Sequence, residues 1–92
     1  MPIVDIKHNG LRELFESGRS RRIGKDYQAR TIFILDLLHK IRDLDECKGI
    51  RKFHPLVCDR IGEYAMSVSG NYRVTFEFEN CDVTINDFED YH

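Results

Sequence analysis

Residues 64–88 read YAMSVSGNYRVTFEFENCDVTINDF, and their alternation decides the fold class. Tyr64, Met66 and Val68 alternate with Ala65, Ser67 and Ser69, and Gly70-Asn71 then supplies a turn. Tyr72, Val74, Phe76 and Phe78 alternate with Arg73, Thr75 and Glu77, and a second turn around Asn80 to Asp82 leads into Val83 to Phe88. A period of two sends successive side chains to opposite faces of a strand. This half therefore predicts antiparallel strands in meander order, with one apolar and one polar face. The polar face carries Ser67, Ser69, Arg73 and Thr75, groups expected to leave it open.

Upstream, the period changes to about 3.6. Asn9 is placed to cap a helix whose Leu11, Leu14 and Phe15 share a face, with Gly18 just past its end. Arg19 to Lys25 reads as a basic loop. Asp26 opens a second helix running to about Arg42, with Ile34, Leu37, Leu38 and Ile41 on one side. Pro2 to Lys7 reads as a short strand at a sheet edge. The expected fold is α+β, two N-terminal helices packed as a hairpin on an antiparallel sheet. At 92 residues the chain makes one domain, 1–92, around one core.

Composition narrows the function. The apolar stretch Thr31 to Leu38 is interrupted by Asp36 and is too short for a bilayer, and no secretory signal is visible at the start. Cys47, Cys58 and Cys81 form no CxxC pair and are odd in number, which fits reduced thiols in a cytoplasm. The net charge of −2 is unevenly spread: residues 1–62 hold thirteen Lys and Arg against nine acids, and residues 63–92 hold Arg73 against seven. A basic first part can hold a polyanion locally, although solvated charge clusters are common on any surface.

No His or Cys pair stands at zinc-ligand spacing, and no phosphate-cradling glycine motif is present, so neither a metal nor a cofactor is expected. A nucleophilic Cys58 beside Arg60 has no supporting base. What remains is a set of acid–base and cationic groups at the borders of the sheet. His54 is held extended by Pro55, Arg73 projects from the polar face, and Asp90, Tyr91 and His92 follow the last strand. Metal-free RNA cleavage needs a base for the 2′-hydroxyl, an acid for the 5′-oxygen and a cation for the phosphate, and these residues supply that inventory. Taken singly, each also has an ordinary structural reading: a surface His, an Arg in a cross-strand pair with Glu77 or Glu63, a fraying terminus.

Residues 53–92 resemble the HigB branch of the RelE/ParE toxins. The similarity runs through His54-Pro55-Leu56, Asp59-Arg60, Gly62, Tyr64, Asn71-Tyr72-Arg73, Phe76, Phe78 and Asp90-Tyr91-His92, and an N-terminal LRELFESG helix extends it over nearly the whole chain. The resemblance implies a microbial-RNase-like fold and a ribosome-dependent endonuclease acting on mRNA in the decoding site. It also implies a HigA-like helix-turn-helix antitoxin through which alone operator DNA is bound. By the same likeness His54, Asp90, Tyr91 and His92 fall on catalytic positions and Arg73 on the phosphate-stabilising one, while Arg51, Lys52 and Arg60 are expected to meet the RNA. The family pattern HPLKGDR here reads HPLVCDR, so Val57 stands in place of a lysine and Cys58 in place of a glycine. That departure keeps a weakened toxin acting in an autorepressor complex in view. A ParE-like gyrase-binding toxin is the other alternative, and it would need no acid–base pair.

Overall fold

The computed structural model describes residues 3–90; Pro2 of the expected first strand, and Tyr91 and His92, lie outside the described residues. Among the described residues the elements run β1 (Ile3–Ile6), α1 (Asn9–Ser17), α2 (Gln28–Lys40), β2 (His54–Pro55), β3 (Glu63–Ser67), β4 (Tyr72–Glu79) and β5 (Asp82–Asp90). The sheet order is β1-β5-β4-β3-β2. The expected meander is β3-β4-β5, antiparallel throughout. β1 takes the sheet edge expected of it, but its pairing is not antiparallel. β1 lies parallel to β5, Ile3 facing Val83, and the two-residue β2 pairs His54 with Ala65 and Pro55 with Tyr64.

Both helices lie over one face. Leu11 and Leu14 of α1 and Ile34, Leu35 and Leu38 of α2 are buried against Met66, Val74, Phe76, Val83 and Ile85. Helix α2 begins at Gln28, because Asp26 belongs to a 3-10 turn over Lys25–Tyr27, and it ends at Lys40 where Ile41 turns extended. Its buried stripe takes Leu35, with Leu37 only half-buried. The cap of α1 is His8, whose imidazole accepts from the Leu11 amide at 3.2 Å; Asn9 is already helical. Gly18 closes that helix in a left-handed conformation (φ 82°), which an L side chain rarely adopts.

One irregularity governs the other face. Phe76 faces Ile85 while Thr75 faces Asp87, so β5 carries one residue, Asn86, without an opposite number. This bulge reverses the alternation. Val83, Ile85 and Phe88 therefore point toward the helices, and Glu89 emerges on the other face, directly across from Arg73. Between β2 and β3 the chain passes through a 3-10 turn, Cys58–Arg60, in which Cys58 adopts φ 60°. The glycine of the HPLKGDR pattern occupies this position. Replacing Cys58 by Gly should remove a left-handed L residue at the cost of some chain entropy, a net gain of about 0.5–1 kcal/mol. The Cys58→Gly protein is expected to unfold at higher urea with an unchanged slope; an equal or lower midpoint would show that the thiol contributes more than the strain removes.

Candidate active site on the outer face of the sheet

The face turned away from the helices is not open, contrary to the sequence reading. Ala65 and Thr75 are fully buried on it, because charged side chains close over them. Arg60, from the 3-10 turn, donates to both oxygens of Glu63 at 3.0 and 3.2 Å and to both of Glu89. Arg73, on the central strand, donates twice to Glu89 at 3.0 and 3.1 Å. The Thr75 hydroxyl lies 3.5 Å from Glu89, and the Asn86 amide donates to Glu63 at 3.2 Å. The Asn86 carbonyl oxygen is buried with no partner among the described residues.

Two guanidinium groups thus share one carboxylate. Hydrogen bonding from Arg60, then from Arg73, holds the Glu89 carboxyl below its usual range, and Arg60 does the same to Glu63. In return Glu89 and Glu63 raise the pKa of Arg60, keeping it protonated. Arg60 and Arg73 carry two positive charges against two negative ones, so this part of the face has little net charge. Arg73 is indeed a cross-strand partner, but of Glu89 and not of Glu77 or Glu63.

His54 shares this face at the sheet edge, in register with Ala65 and, one strand further, Thr75. Its ring is exposed, and Nδ1 lies 2.9 Å from the Lys52 carbonyl oxygen. A carbonyl only accepts, so this contact is a hydrogen bond when Nδ1 carries the proton. The neutral ring then presents the Nε2 lone pair. Phe53, stacked on Tyr64 at 5.7 Å and set against Phe76, pins the segment to the core side. Arg51 and Lys52 precede it with φ 50° and 57°.

The structure therefore brings His54, Arg60 and Arg73 to one face. Asp90 is placed elsewhere: it faces Tyr72 in the register, on the side that carries Val74 and Phe88. Tyr91 and His92 lie outside the described residues. Val57 is 70% exposed at the turn beside Arg60. Sequence reasoning missed Glu63, Glu89, Asn86 and the shielding of Ala65 and Thr75. A strict period of two puts Glu89 on the face of Val83 and Ile85, and no residue in the sequence announced the bulge that moves it. Among the described residues no group of three or more His, Cys, Asp and Glu is arranged for a metal ion, and no helix is long and apolar enough to cross a membrane.

Comparison with known proteins agrees with the geometry. The family profile of the HigB-like toxins, described as RelE-like toxins of type II toxin-antitoxin systems, matches residues 4–92. A relative named endoribonuclease HigB, from Proteus vulgaris, is 36% identical over 91 residues, covering 98% of this chain and 99% of its own. Among solved structures, the YoeB-YefM complex from Staphylococcus aureus superposes with a TM-score of 0.62 at 17% identity, over 100% of this chain and 99% of that one. The YoeB/ParE toxin from Agrobacterium tumefaciens superposes at 0.63 and 11% identity over the whole of both chains. The two structures share the fold, helices on one side of a mostly antiparallel sheet.

The ion-paired cluster has a measurable signature. Carboxyls with lowered folded pKa stabilise fully above the unfolded value, about 4.3 for Glu, and lose that contribution as pH falls through the folded value. The melting temperature should therefore decline from about pH 4 downward. Glu89→Gln should cost about 2 kcal/mol at pH 7, the worth of charge-assisted hydrogen bonds, and should approach the wild type as the pH drops. Parallel melting curves for the two proteins between pH 7 and 3 would contradict this linkage.

Proposed function

This chain belongs to the HigB-like toxins, and from that premise we propose that it is a ribosome-dependent endoribonuclease that cuts translated mRNA by metal-independent acid–base chemistry. The observation that carries the reading is His54: an exposed imidazole whose Nδ1 lies 2.9 Å from the Lys52 carbonyl oxygen, on the same face as Arg73. Its Nε2 takes the proton of a ribose 2′-hydroxyl. The oxygen attacks the adjacent phosphorus, the bond to the 5′-oxygen breaks, and a cyclic phosphate and a 5′-hydroxyl result. A protonated group returns a proton to the leaving oxygen, and His92 or Tyr91 is assigned that role from the resemblance.

Arg73 faces the negative charge that grows on the phosphate. Glu89 fixes its orientation in advance, so the site gains from preorganised donors rather than from a large net charge. Arg60, held by two carboxylates, serves to hold that carboxylate layer in place more than to meet RNA. Asp90, across from Tyr72, acts by orienting the residues that follow it. The partner that restrains the toxin is a HigA-like helix-turn-helix antitoxin, through which the pair reaches operator DNA.

His54→Ala and His92→Ala should each slow single-turnover cleavage on ribosomes by about 10²–10⁴-fold. EDTA, with ribosome integrity preserved, should leave the rate unchanged. Cleavage that dies in EDTA and returns with Mg²⁺, or that survives both substitutions, would sink the mechanism; poisoned gyrase with intact mRNA would favour a ParE-like activity.

With Val57 where the family pattern has a lysine, cleavage is expected to be weaker. Its exposure means that it does not anchor the loop, and an aliphatic side chain at the mouth of the site cannot pair with phosphate. Val57→Lys should leave stability within about 0.5 kcal/mol. It should speed cleavage and steepen its salt dependence by about 0.7 in log–log slope, one phosphate contact to a single strand. A stable Val57→Lys protein with unchanged rate and slope would show that this position does not meet RNA.

A further inference from the structure

The arginines of the candidate site are neutralised, yet a second set close by is not. At the far end of β3, beyond Ser67, side chains of Arg30, Arg51 and Lys52 line an open crevice of about 340 Å³ together with Ser67 and Ser69. Arg51 donates Nε to the Ser67 carbonyl at 2.9 Å and a terminal nitrogen to the Val68 carbonyl at 2.7 Å. Arg30, reaching across from α2, donates to that same Val68 oxygen at 3.4 Å. Two guanidinium groups therefore converge on one neutral oxygen. Among the described residues, none of the ion pairs involves Arg30, Arg51 or Lys52.

Like charges held this close repel, and a carbonyl dipole offsets them only in part. The backbone adds its own cost, since Arg51 and Lys52 are consecutive residues at positive φ. Ser69 contributes a further donor. Its oxygen accepts from the Asn71 and Tyr72 amides at 3.2 and 3.3 Å, and no acceptor among the described residues takes its own proton. A strained segment that gathers three cations and a hydroxyl around an unfilled space has the composition of an anion site.

Its place in the sheet identifies the anion. Ala65 pairs with His54, and Ser67 is the next residue of β3 on that same face. Two strand residues span about 7 Å, roughly one nucleotide step of an extended chain. Lys52, whose carbonyl oxygen lies 2.9 Å from the His54 ring, is also one of the residues that line the crevice. We propose that this crevice binds a backbone phosphate of the RNA strand next to the one attacked at His54, with Arg30 and Lys52 as its principal cations and Arg51 as the group that shapes it. This inference rests on the nuclease reading for the identity of the strand, and on the crevice alone for the phosphate.

The test uses a labelled 2′-O-methyl hexanucleotide, which lacks the nucleophile and is not cut, titrated with the intact protein by fluorescence anisotropy over a range of salt. Arg30→Gln and Lys52→Gln should each weaken binding several-fold at low salt and reduce the log–log salt slope by about 0.7. Arg30→Lys, which keeps the charge, should retain the slope. On ribosomes Arg30→Gln should raise the concentration needed for half-maximal cleavage and spare the saturated single-turnover rate. If Arg30→Gln lowers the melting temperature sharply, Lys52, whose side chain makes no hydrogen bond among the described residues, carries the decision.

An unchanged slope in a folded Arg30→Gln or Lys52→Gln protein overturns the proposal, as does failure of the wild type to bind the oligonucleotide. His54→Ala separates the two readings. It should slow cleavage by about 10²–10⁴-fold and leave hexanucleotide affinity intact. A His54→Ala protein that cuts at the wild-type rate, while Arg30→Gln still flattens the slope, rejects His54 as the base and leaves the crevice standing; a wild type that cuts no RNA rejects the nuclease reading itself.

Discussion

Arg60 and Arg73 meet on the carboxylate of Glu89, and most of what is unusual about the outer face follows from that meeting. The contact ties the turn after β2 to the central strand β4 and to β5, which a backbone ladder already pairs with each other. It also roofs Ala65 and Thr75, which would otherwise be small groups in contact with water. Removing charges from water is costly, and such a pair stabilises only when nearly every donor and lone pair is used. Here both oxygens of Glu89 and both of Glu63 are engaged. The arrangement depends in turn on the bulge at Asn86, without which Glu89 would face the helices.

The outer face is thereby divided. Around Arg73 the positive charges are matched by acids, so a phosphate arriving there meets oriented donors in a field close to neutral. Around Arg30 and Arg51 the charges are unmatched and the field is positive. His54 lies on β2, the edge strand beside β3, with its ring exposed. Under the proposed function, attraction and chemistry would fall to different parts of this face.

The fold was legible where periodicity was uninterrupted. Tyr72 to Phe78 alternates without a break, and the structure makes it the central strand. Leu11, Leu14, Ile34 and Leu38 lie where a period of 3.6 put them. Three things were not legible, each for a physical reason. Parallel pairing of β1 with β5 joins segments at opposite ends of the chain, and a four-residue strand holds no information about its neighbour's direction. The cap at His8 comes from an imidazole, outside the usual set of small capping side chains. The bulge leaves no residue signature, so Glu89 was assigned to no role while its neighbour Asp90 was placed with His54 and Arg73. The site itself was read through likeness to a family more than through spacing. Geometry adds the Lys52 carbonyl beside His54 and the carboxylate partners of Arg60 and Arg73.

The parallel pairing of Ile3 with Val83 has a consequence for the order of events during synthesis. The first strand made and the last one described lie side by side, so the sheet cannot close until nearly the entire chain has been translated. Contacts of such long sequence separation form late and slowly, because the intervening chain must lose its freedom before any of them repays it. Helices α1 and α2 can begin to assemble early, yet their apolar faces stay uncovered until β4 and β5 arrive. A protein of this topology gains its outer face only once β5 has been made and has paired with β1 and β4.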